Sequence, residues 1–101
     1  MADQPSIEIL VETDTELDFP SLWGVRFLND DFTPMDFVIM LMMQVFKLSY
    51  EESEATTVKI HNDGEAVIGA YPKDIAETKA IMAEQCAREY GHPLRLDAVE
   101  I

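Results

Sequence analysis

The chain has 101 residues, with 20 acidic side chains against seven Lys and Arg, so its formal net charge is −13. A hydrophobic content of 48% is too high for a wholly disordered acidic tail, and the length suits one folded domain. The negative charge argues against nucleic-acid and membrane partners, because phosphate backbones and anionic lipids would be repelled. It favours a cationic partner or a basic patch on another protein.

The beginning of the chain differs in charge from the rest. Residues 1–21 carry six of the acidic side chains and no Lys or Arg. They predict a flexible acidic arm that precedes a core domain at residues 22–101. The lone Cys86 fits a reducing compartment, and neither a secretory signal nor a membrane-length apolar run is visible. These features predict a cytoplasmic location.

The core domain is predicted to open with a strand and a helix. Residues 22–28, rich in Trp, Val and Phe, are typical of a strand, and the polar residues 29–31 end it in a turn. Thr33 as N-cap and Pro34 at the first helical position predict a helix that runs to about residue 46. Its predicted buried face consists of Phe37, Val38, Leu41 and Val45.

A second helix and a second strand follow. Ser49 and Glu52 have the spacing of a capping box, which predicts a helix start. The helix reaches about residue 61 and stops at residues 62–64, where Gly64 suits a left-handed C-terminal position. Residues 66–71 are then predicted to form a strand.

The last part of the chain predicts a third helix and a third strand. Pro72 opens the helix and residues 91–93 end it. Its apolar positions at helical spacing are Ile75, Met82, Ala83, Cys86, Ala87 and Tyr90. Residues 94–101 partly alternate and predict a strand. The order β-α-α-β-α-β indicates an α+β fold in which three helices pack on a three-stranded antiparallel sheet.

Two polar features invite a functional interpretation. Asn29, Asp30 and Asp31 follow the first strand, where they are explained either as a turn or as a cation site, since carboxylate and amide oxygens accept hydrogen bonds from ammonium groups. His61 lies near the end of the second helix. It either stabilises the negative end of the helix dipole or accepts a hydrogen bond from a donor in a cleft.

The remaining candidate residues are more typical of a structural role than of a catalytic one. Cys86 lies on an apolar stripe and is more typical of a core residue than of a nucleophile. Four methionines, which fit either a core or an adaptable apolar pocket, lie in or beside the first helix: Met35, Met40, Met42 and Met43. No metal-ligand spacing, phosphate loop or nucleophile motif is present, so neither a metal nor a cofactor nor an enzymatic activity is predicted.

Several separated blocks of the sequence resemble the ClpS family. These proteins are adaptors that deliver N-degron substrates to the AAA+ unfoldase ClpA and its protease partner ClpP. The first block is Leu28-Asn29-Asp30-Asp31-Phe32-Thr33-Pro34-Met35-Asp36-Phe37-Val38. The others are Ile60-His61, Ala76-Glu77-Thr78-Lys79 and His92-Pro93-Leu94, so the resemblance covers about residues 22–97.

The resemblance implies a site for the first residue of a substrate protein. Asn29 and His61 would bind its free α-amine directly, Asp31 would complete the cage, and Asp30 would add negative potential. Its side chain would enter an apolar pocket that favours Phe, Tyr, Trp and Leu. The positions carried over for this pocket are Phe27, Leu28, Thr33, Met35, Val38, Thr57, Ile60 and Leu94.

Two departures from the family pattern concern this pocket. Thr57 stands where the family usually has Met, and Phe27 replaces a usual aliphatic residue. We expect a narrower choice of first residue, because Leu would fill the reshaped cavity less completely than Phe or Tyr.

The resemblance also implies partners. Asp74 and Lys79 align with positions that dock on the N-terminal domain of ClpA, although charged residues usually belong to a solvated helix face. The acidic arm would serve substrate hand-over, and a monomer is expected. Two other hypotheses stay open: an acidic protein that masks a basic surface, and a small enzyme using His61 with Asp30 or Asp31 as acid and base.

Overall fold

The structure, a computed structural model, describes residues 21–101. This part of the chain has the predicted α+β architecture, with three helices and a three-stranded antiparallel sheet. Its elements are β1 (Trp23–Leu28), α1 (Met35–Val45), α2 (Tyr50–Asp63), β2 (Glu65–Tyr71), α3 (Lys73–Glu89) and β3 (Arg95–Glu100). The predicted arm lies outside the described residues apart from Ser21, so its role stays a prediction.

Strand β1 forms the centre of the sheet, in the order β2-β1-β3. Val25 and Phe27 are fully buried in the core, whereas Arg26 between them points to the opposite face because successive strand residues alternate. There the Arg26 guanidinium binds the Asp97 carboxylate through two bonds, Nε to Oδ1 at 3.0 Å and Nη2 to Oδ2 at 2.7 Å. Because Asp97 lies directly opposite Arg26, this pair supports the β1–β3 register.

Helix α1 buries the side chains that face the sheet and its neighbouring helices. Phe37, Val38 and Leu41 are buried as predicted. Met42 is also buried, whereas Val45 is only half-buried. Because Met42 follows Val38 by one helical turn, it continues the same buried stripe.

Helix α2 begins and ends as its sequence predicts. The Ser49 hydroxyl accepts a hydrogen bond from the Glu52 N–H at 3.1 Å, and the Glu52 carboxylate accepts one from the Ser49 N–H at 3.0 Å. At the other end Gly64 adopts a left-handed conformation with φ 92°, which glycine reaches without the steric cost of a Cβ. The helix therefore stops two residues beyond His61.

Helix α3 packs on the sheet through its smallest side chains. The buried residues are Ala76, Ala80, Ala83 and Ala87. Ile75, Met82 and Tyr90 also belong to the apolar positions named from the sequence, but they are exposed, so the spacing alone does not identify the buried residues. Cys86 is half-buried and packs against the core. Alanines have no atoms beyond Cβ, so this stripe lets the helix approach the sheet closely, and larger side chains would prevent it.

Candidate functional site

Asp30 holds the loop between β1 and α1, residues 29–34, in its conformation. Its Oδ1 accepts hydrogen bonds from the Phe32 N–H at 2.8 Å and the Thr33 N–H at 2.7 Å. Its Oδ2 accepts a third from the Thr33 hydroxyl at 2.8 Å. The sequence predicts Thr33 as the N-cap of α1, but the N-cap is Pro34, which makes no side-chain cap bond. The Thr33 hydroxyl points to Asp30 instead.

These contacts stabilise the ionised form of Asp30. Partial burial alone raises the pKa of Asp30, because it removes water from the charged carboxylate. The hydrogen bonds from Phe32 and Thr33, with a smaller influence of the His92 charge, outweigh burial, so the net pKa of Asp30 lies below its ordinary value. The loop therefore carries a fixed negative charge at neutral pH.

A backbone hydrogen bond places this loop beside the end of α2. The Asn29 N–H donates to the carbonyl of Gly64 at 2.9 Å, and the last turn of α2 carries His61. The side chains of Asn29, Asp31 and His61 are exposed, and none of them makes a side-chain hydrogen bond within residues 21–101. Within this part of the chain, their donors and acceptors are therefore available to a ligand.

A cavity of about 350 Å³ lies below these polar groups, between the loop, α1, α2 and Leu94. This volume is in the range of small-ligand pockets. All four residues predicted to bind an amine line it: Asn29, Asp30, Asp31 and His61. Seven of the eight predicted pocket residues also line it: Leu28, Thr33, Met35, Val38, Thr57, Ile60 and Leu94. The structure thus brings both sets of predicted residues together.

Phe27 is the predicted pocket residue that does not line the cavity. It is fully buried in the core, where its ring meets the Phe46 ring edge-on with centroids 5.4 Å apart. Leu28, the next residue, lines the cavity. Neighbouring residues of a strand point to opposite sides. A shift of one residue along β1 therefore separates a side chain in the core from a side chain in the cavity lining. Phe27 therefore adds its ring to the core rather than to a cavity wall.

Phe32 and Pro34 line the cavity without having been assigned a role from the sequence. Both lie inside the block at residues 28–38 that resembles the ClpS family. Their position in this block was the feature of the sequence that could have indicated a place in the cavity lining. The Phe32 side chain is 79% exposed, an unusual state for a large aromatic residue. It therefore contributes an apolar surface at the mouth of the cavity.

Thr57 lines the cavity and is buried, with only 3% of its surface exposed. Its hydroxyl donates a hydrogen bond to the Ser53 carbonyl, one helical turn earlier, at 2.7 Å. The same oxygen lies 3.8 Å from the Met42 sulfur in α1. The Thr57 side chain therefore adds a hydroxyl-bearing residue to the lining of the cavity.

The two residues predicted for docking lie on α3, outside this cavity. Asp74 is exposed in the first turn of α3, where its Oδ1 accepts a hydrogen bond from the Ile75 N–H at 3.0 Å. Lys79 is half-buried, and its Nζ donates to the carbonyl of Val45 at 3.0 Å. Lys79 also lies 5.4 Å from the centre of the Tyr71 ring. A freely solvated helix face therefore describes Asp74 but not Lys79.

The charges around the cavity suit a cationic ligand. Two carboxylates, an amide and an imidazole line it, whereas neither Lys nor Arg is among its lining residues in the described part of the chain. No group of three or more His, Cys, Asp and Glu in residues 21–101 is arranged to hold a metal ion. Within the same residues, no helix is both long and apolar enough to cross a membrane.

The fold and the cavity together define a small α+β domain that offers a polar rim beside an apolar interior. Sequence comparisons lead from this class to a family. The family model "ATP-dependent Clp protease adaptor protein ClpS" matches residues 18–97. The chain therefore belongs to the ClpS family of Clp protease adaptors.

Individual relatives support this assignment. An ATP-dependent Clp protease adapter protein ClpS from Helicobacter hepaticus is 47% identical over 88 residues, which cover 87% of this chain and 89% of the relative. The corresponding protein from Deinococcus radiodurans is 43% identical over 84 residues, with 83% and 74% of the two chains covered. A solved structure, Agrobacterium tumefaciens ClpS2 bound to L-phenylalaninamide, has a TM-score of 0.79 and 36% identity. The match covers 82% of this chain and all of that one.

Proposed function

We propose that this protein is a cytoplasmic, non-enzymatic adaptor that binds the free α-amine and bulky apolar first residue of N-degron substrates. It then delivers them to the ClpA unfoldase of the ClpAP protease. The observation that carries the proposal is the position of four polar side chains at the edge of an apolar cavity. A chain N-terminus presents the matching pair of groups, a cation and a side chain, on one carbon atom.

The polar rim matches an α-ammonium group. An unperturbed α-amine has a pKa of about 7.7 to 8.0, so it is largely charged at neutral pH. In our proposal Asn29 and His61 accept its hydrogen bonds, Asp31 completes the cage, and Asp30 contributes a fixed negative charge while it holds the loop. An internal peptide segment or an acetylated N-terminus offers neither the charge nor the donors, and leaves the rim groups unpaired.

The apolar cavity matches a large first side chain. Burying a Leu or Phe side chain contributes roughly 1.5 to 3 kcal/mol. The walls consist largely of aliphatic side chains and Met35, which suits Phe, Tyr, Trp and Leu and disfavours charged residues. Agrobacterium ClpS2, the similar structure, is bound to L-phenylalaninamide, which combines a free amine with an aromatic side chain.

Two matched peptides test the binding step directly. One begins with Phe and a free amine, and the other is identical except for an acetylated amine. We expect acetylation to weaken binding at least tenfold, because it removes the charge of the amine, and a hydrogen bond to a charged group contributes about 1.5 to 3 kcal/mol. His61→Ala should weaken binding of the free peptide, whereas Asp74→Ala, an exposed change outside the cavity, should leave it unchanged.

The outcomes separate the proposal from its rivals. Equal affinity for the two peptides would refute recognition of the α-amine. Binding that ignores His61→Ala and collapses with added salt would instead indicate an acidic surface that masks a basic partner. Turnover of a substrate by the purified protein would support the enzyme hypothesis.

Delivery requires a second surface, which we assign to α3. Asp74 is exposed on this helix and lies apart from the cavity, so one monomer can hold a substrate and an unfoldase at once. We expect Asp74→Ala to weaken capture by the isolated N-terminal domain of ClpA while peptide affinity is retained. Deletion of residues 2–20 should abolish substrate delivery with peptide affinity unchanged, if the acidic arm serves hand-over.

A further inference from the structure

One buried polar side chain of the cavity lining, that of Thr57, is not used in α-amine recognition. Thr57 lines the cavity, and Ser53 lies one turn earlier on α2. Both side chains are buried, with 3% and 0% exposure. Within residues 21–101, the Ser53 hydroxyl is the buried side-chain oxygen that has no hydrogen-bond partner. An apolar first residue would not require hydroxyl groups here.

The Thr57 hydroxyl is free to accept a hydrogen bond from a ligand. A hydroxyl group has one donor hydrogen and two acceptor lone pairs. The hydrogen is engaged, because Thr57 Oγ1 donates to the Ser53 carbonyl at 2.7 Å. Its other contact of this kind within residues 21–101 is the Met42 sulfur at 3.8 Å, which is at most a weak partner. The oxygen therefore retains acceptor capacity, and its orientation is fixed by the bond to Ser53.

From this arrangement we infer that the Thr57 hydroxyl oxygen faces the cavity and makes it selective for a first residue with a hydrogen-bond donor at its far end, namely Tyr over Phe. The inference rests on the proposed function and adds a specificity-determining residue to it. The phenolic O–H of a Tyr donates to Thr57 Oγ1. In this arrangement the rim residues hold the amine, and the far end of the aromatic ring reaches Thr57.

The chemistry of the competing first residues explains the direction of this preference. Phe and Leu carry no donor and leave the Thr57 acceptor unused. A Tyr hydroxyl that is buried without a partner loses its hydrogen bonds to water, which disfavours Tyr in a purely apolar pocket. Thr57 restores one of these bonds. One neutral hydrogen bond corresponds to about a twofold to tenfold change in affinity.

The test compares three free-amine peptides that differ only in the first residue: Tyr, Phe and 4-fluorophenylalanine. The fluorine occupies the same end of the ring without an O–H donor, so it controls for size. We expect the wild-type protein to bind the Tyr peptide about twofold to tenfold more tightly than either of the others. Thr57→Val, which keeps the shape and removes the hydroxyl, should abolish this advantage. Thr57→Ser, which keeps the hydroxyl, should preserve it.

Each outcome decides the inference. Equal wild-type affinities for the Tyr and 4-fluorophenylalanine peptides overturn it even if the Thr57→Val variant does not fold. A Tyr advantage that survives unchanged in folded Thr57→Val overturns it as well, while the proposed function stands. If none of the three peptides binds the wild-type protein, both the inference and the proposed function fail.

Discussion

The two ends of helix α1 are built in different ways. At its C-terminal end, the Val45 carbonyl accepts a hydrogen bond from Lys79 of α3, and Phe46 packs on the buried Phe27 ring. At its N-terminal end, the loop that contains Asp30 leads to an open cavity. At the closed end, a backbone carbonyl has a hydrogen-bond partner and aromatic rings fill the core. At the open end, polar side chains line a cavity where they can contact a ligand.

This difference separates residues that maintain the fold from residues that are placed for binding. A substitution at the closed end should lower the free energy of unfolding. A substitution among the exposed groups at the open end should change ligand affinity and leave stability nearly unchanged. Asp30 belongs to both categories, because its carboxylate shapes the loop and carries charge at the cavity.

The largest expected effect is the loss of stability in Phe27→Ala. Removal of a fully buried Phe ring leaves a cavity against Phe46, and such changes typically cost about 3 to 5 kcal/mol. Phe32→Ala is the matched control, because Phe32 is 79% exposed and should change stability by less than about 0.5 kcal/mol. Denaturant unfolding of the two variants measures the difference. Similar losses in both would contradict the division between a closed and an open end.

A smaller effect is expected for Asp30→Ala. This change removes the acceptor of three hydrogen bonds and should lower the free energy of unfolding by about 1 to 2 kcal/mol. It should also weaken peptide binding, because the loop that positions Asn29 loses its support. Asp31→Ala should weaken binding at unchanged stability. If both variants kept full stability, the Asp30 bonds would not hold the loop.

The closed end itself is tested by Lys79→Met. Met retains most of the side-chain hydrocarbon and loses the bond from Nζ to the Val45 carbonyl, so we expect a loss of about 1 kcal/mol. Asp74→Ala on the same helix should stay within about 0.5 kcal/mol of wild type. Thermal unfolding compares the two. An unchanged stability in Lys79→Met would contradict a stabilising role of the bond from Lys79 to Val45.

The order and bounds of the elements were predictable because local signals mark them. Pro34, Gly64 and Pro72 lie at helix ends, and the capping box at Ser49 starts α2. These signals act through the backbone within a few residues. They therefore remain valid without knowledge of tertiary contacts.

The incorrect predictions concern contacts between elements. The spacing of apolar residues in α3 does not distinguish Ile75 and Met82 from the alanines. In the structure the alanines are buried against the sheet, and Ile75 and Met82 are exposed. Phe27 was predicted to line the pocket but lies in the core, because strand alternation directs Phe27 and Leu28 to opposite sides. The bond from Lys79 to Val45 spans 34 residues and has no local signature. The cavity residues were assembled largely by family resemblance, since an Asn-Asp-Asp cluster alone is more typical of a turn.

The smallest expected effect is a pH dependence of stability that Asp30 causes. Its pKa is lower in the folded protein than its ordinary value, so the ionised form favours folding. An Asp in an unfolded chain titrates at about pH 3.9. The stabilising contribution should therefore be complete well above about pH 4 and should decline as the pH falls through the lowered pKa of folded Asp30.

Asp30→Asn isolates this contribution, because an amide does not titrate. Its oxygen still accepts from the Phe32 and Thr33 amides, but its NH₂ group cannot accept from the Thr33 hydroxyl. We expect the stability difference between wild type and this variant to be constant at neutral pH and to shrink in acid. Thr33→Val, which deletes one of the bonds that lower the pKa of Asp30, should reduce the size of this pH-dependent change. A wild-type advantage that stays constant far below pH 4 would show that the Asp30 contacts depend on shape rather than on charge.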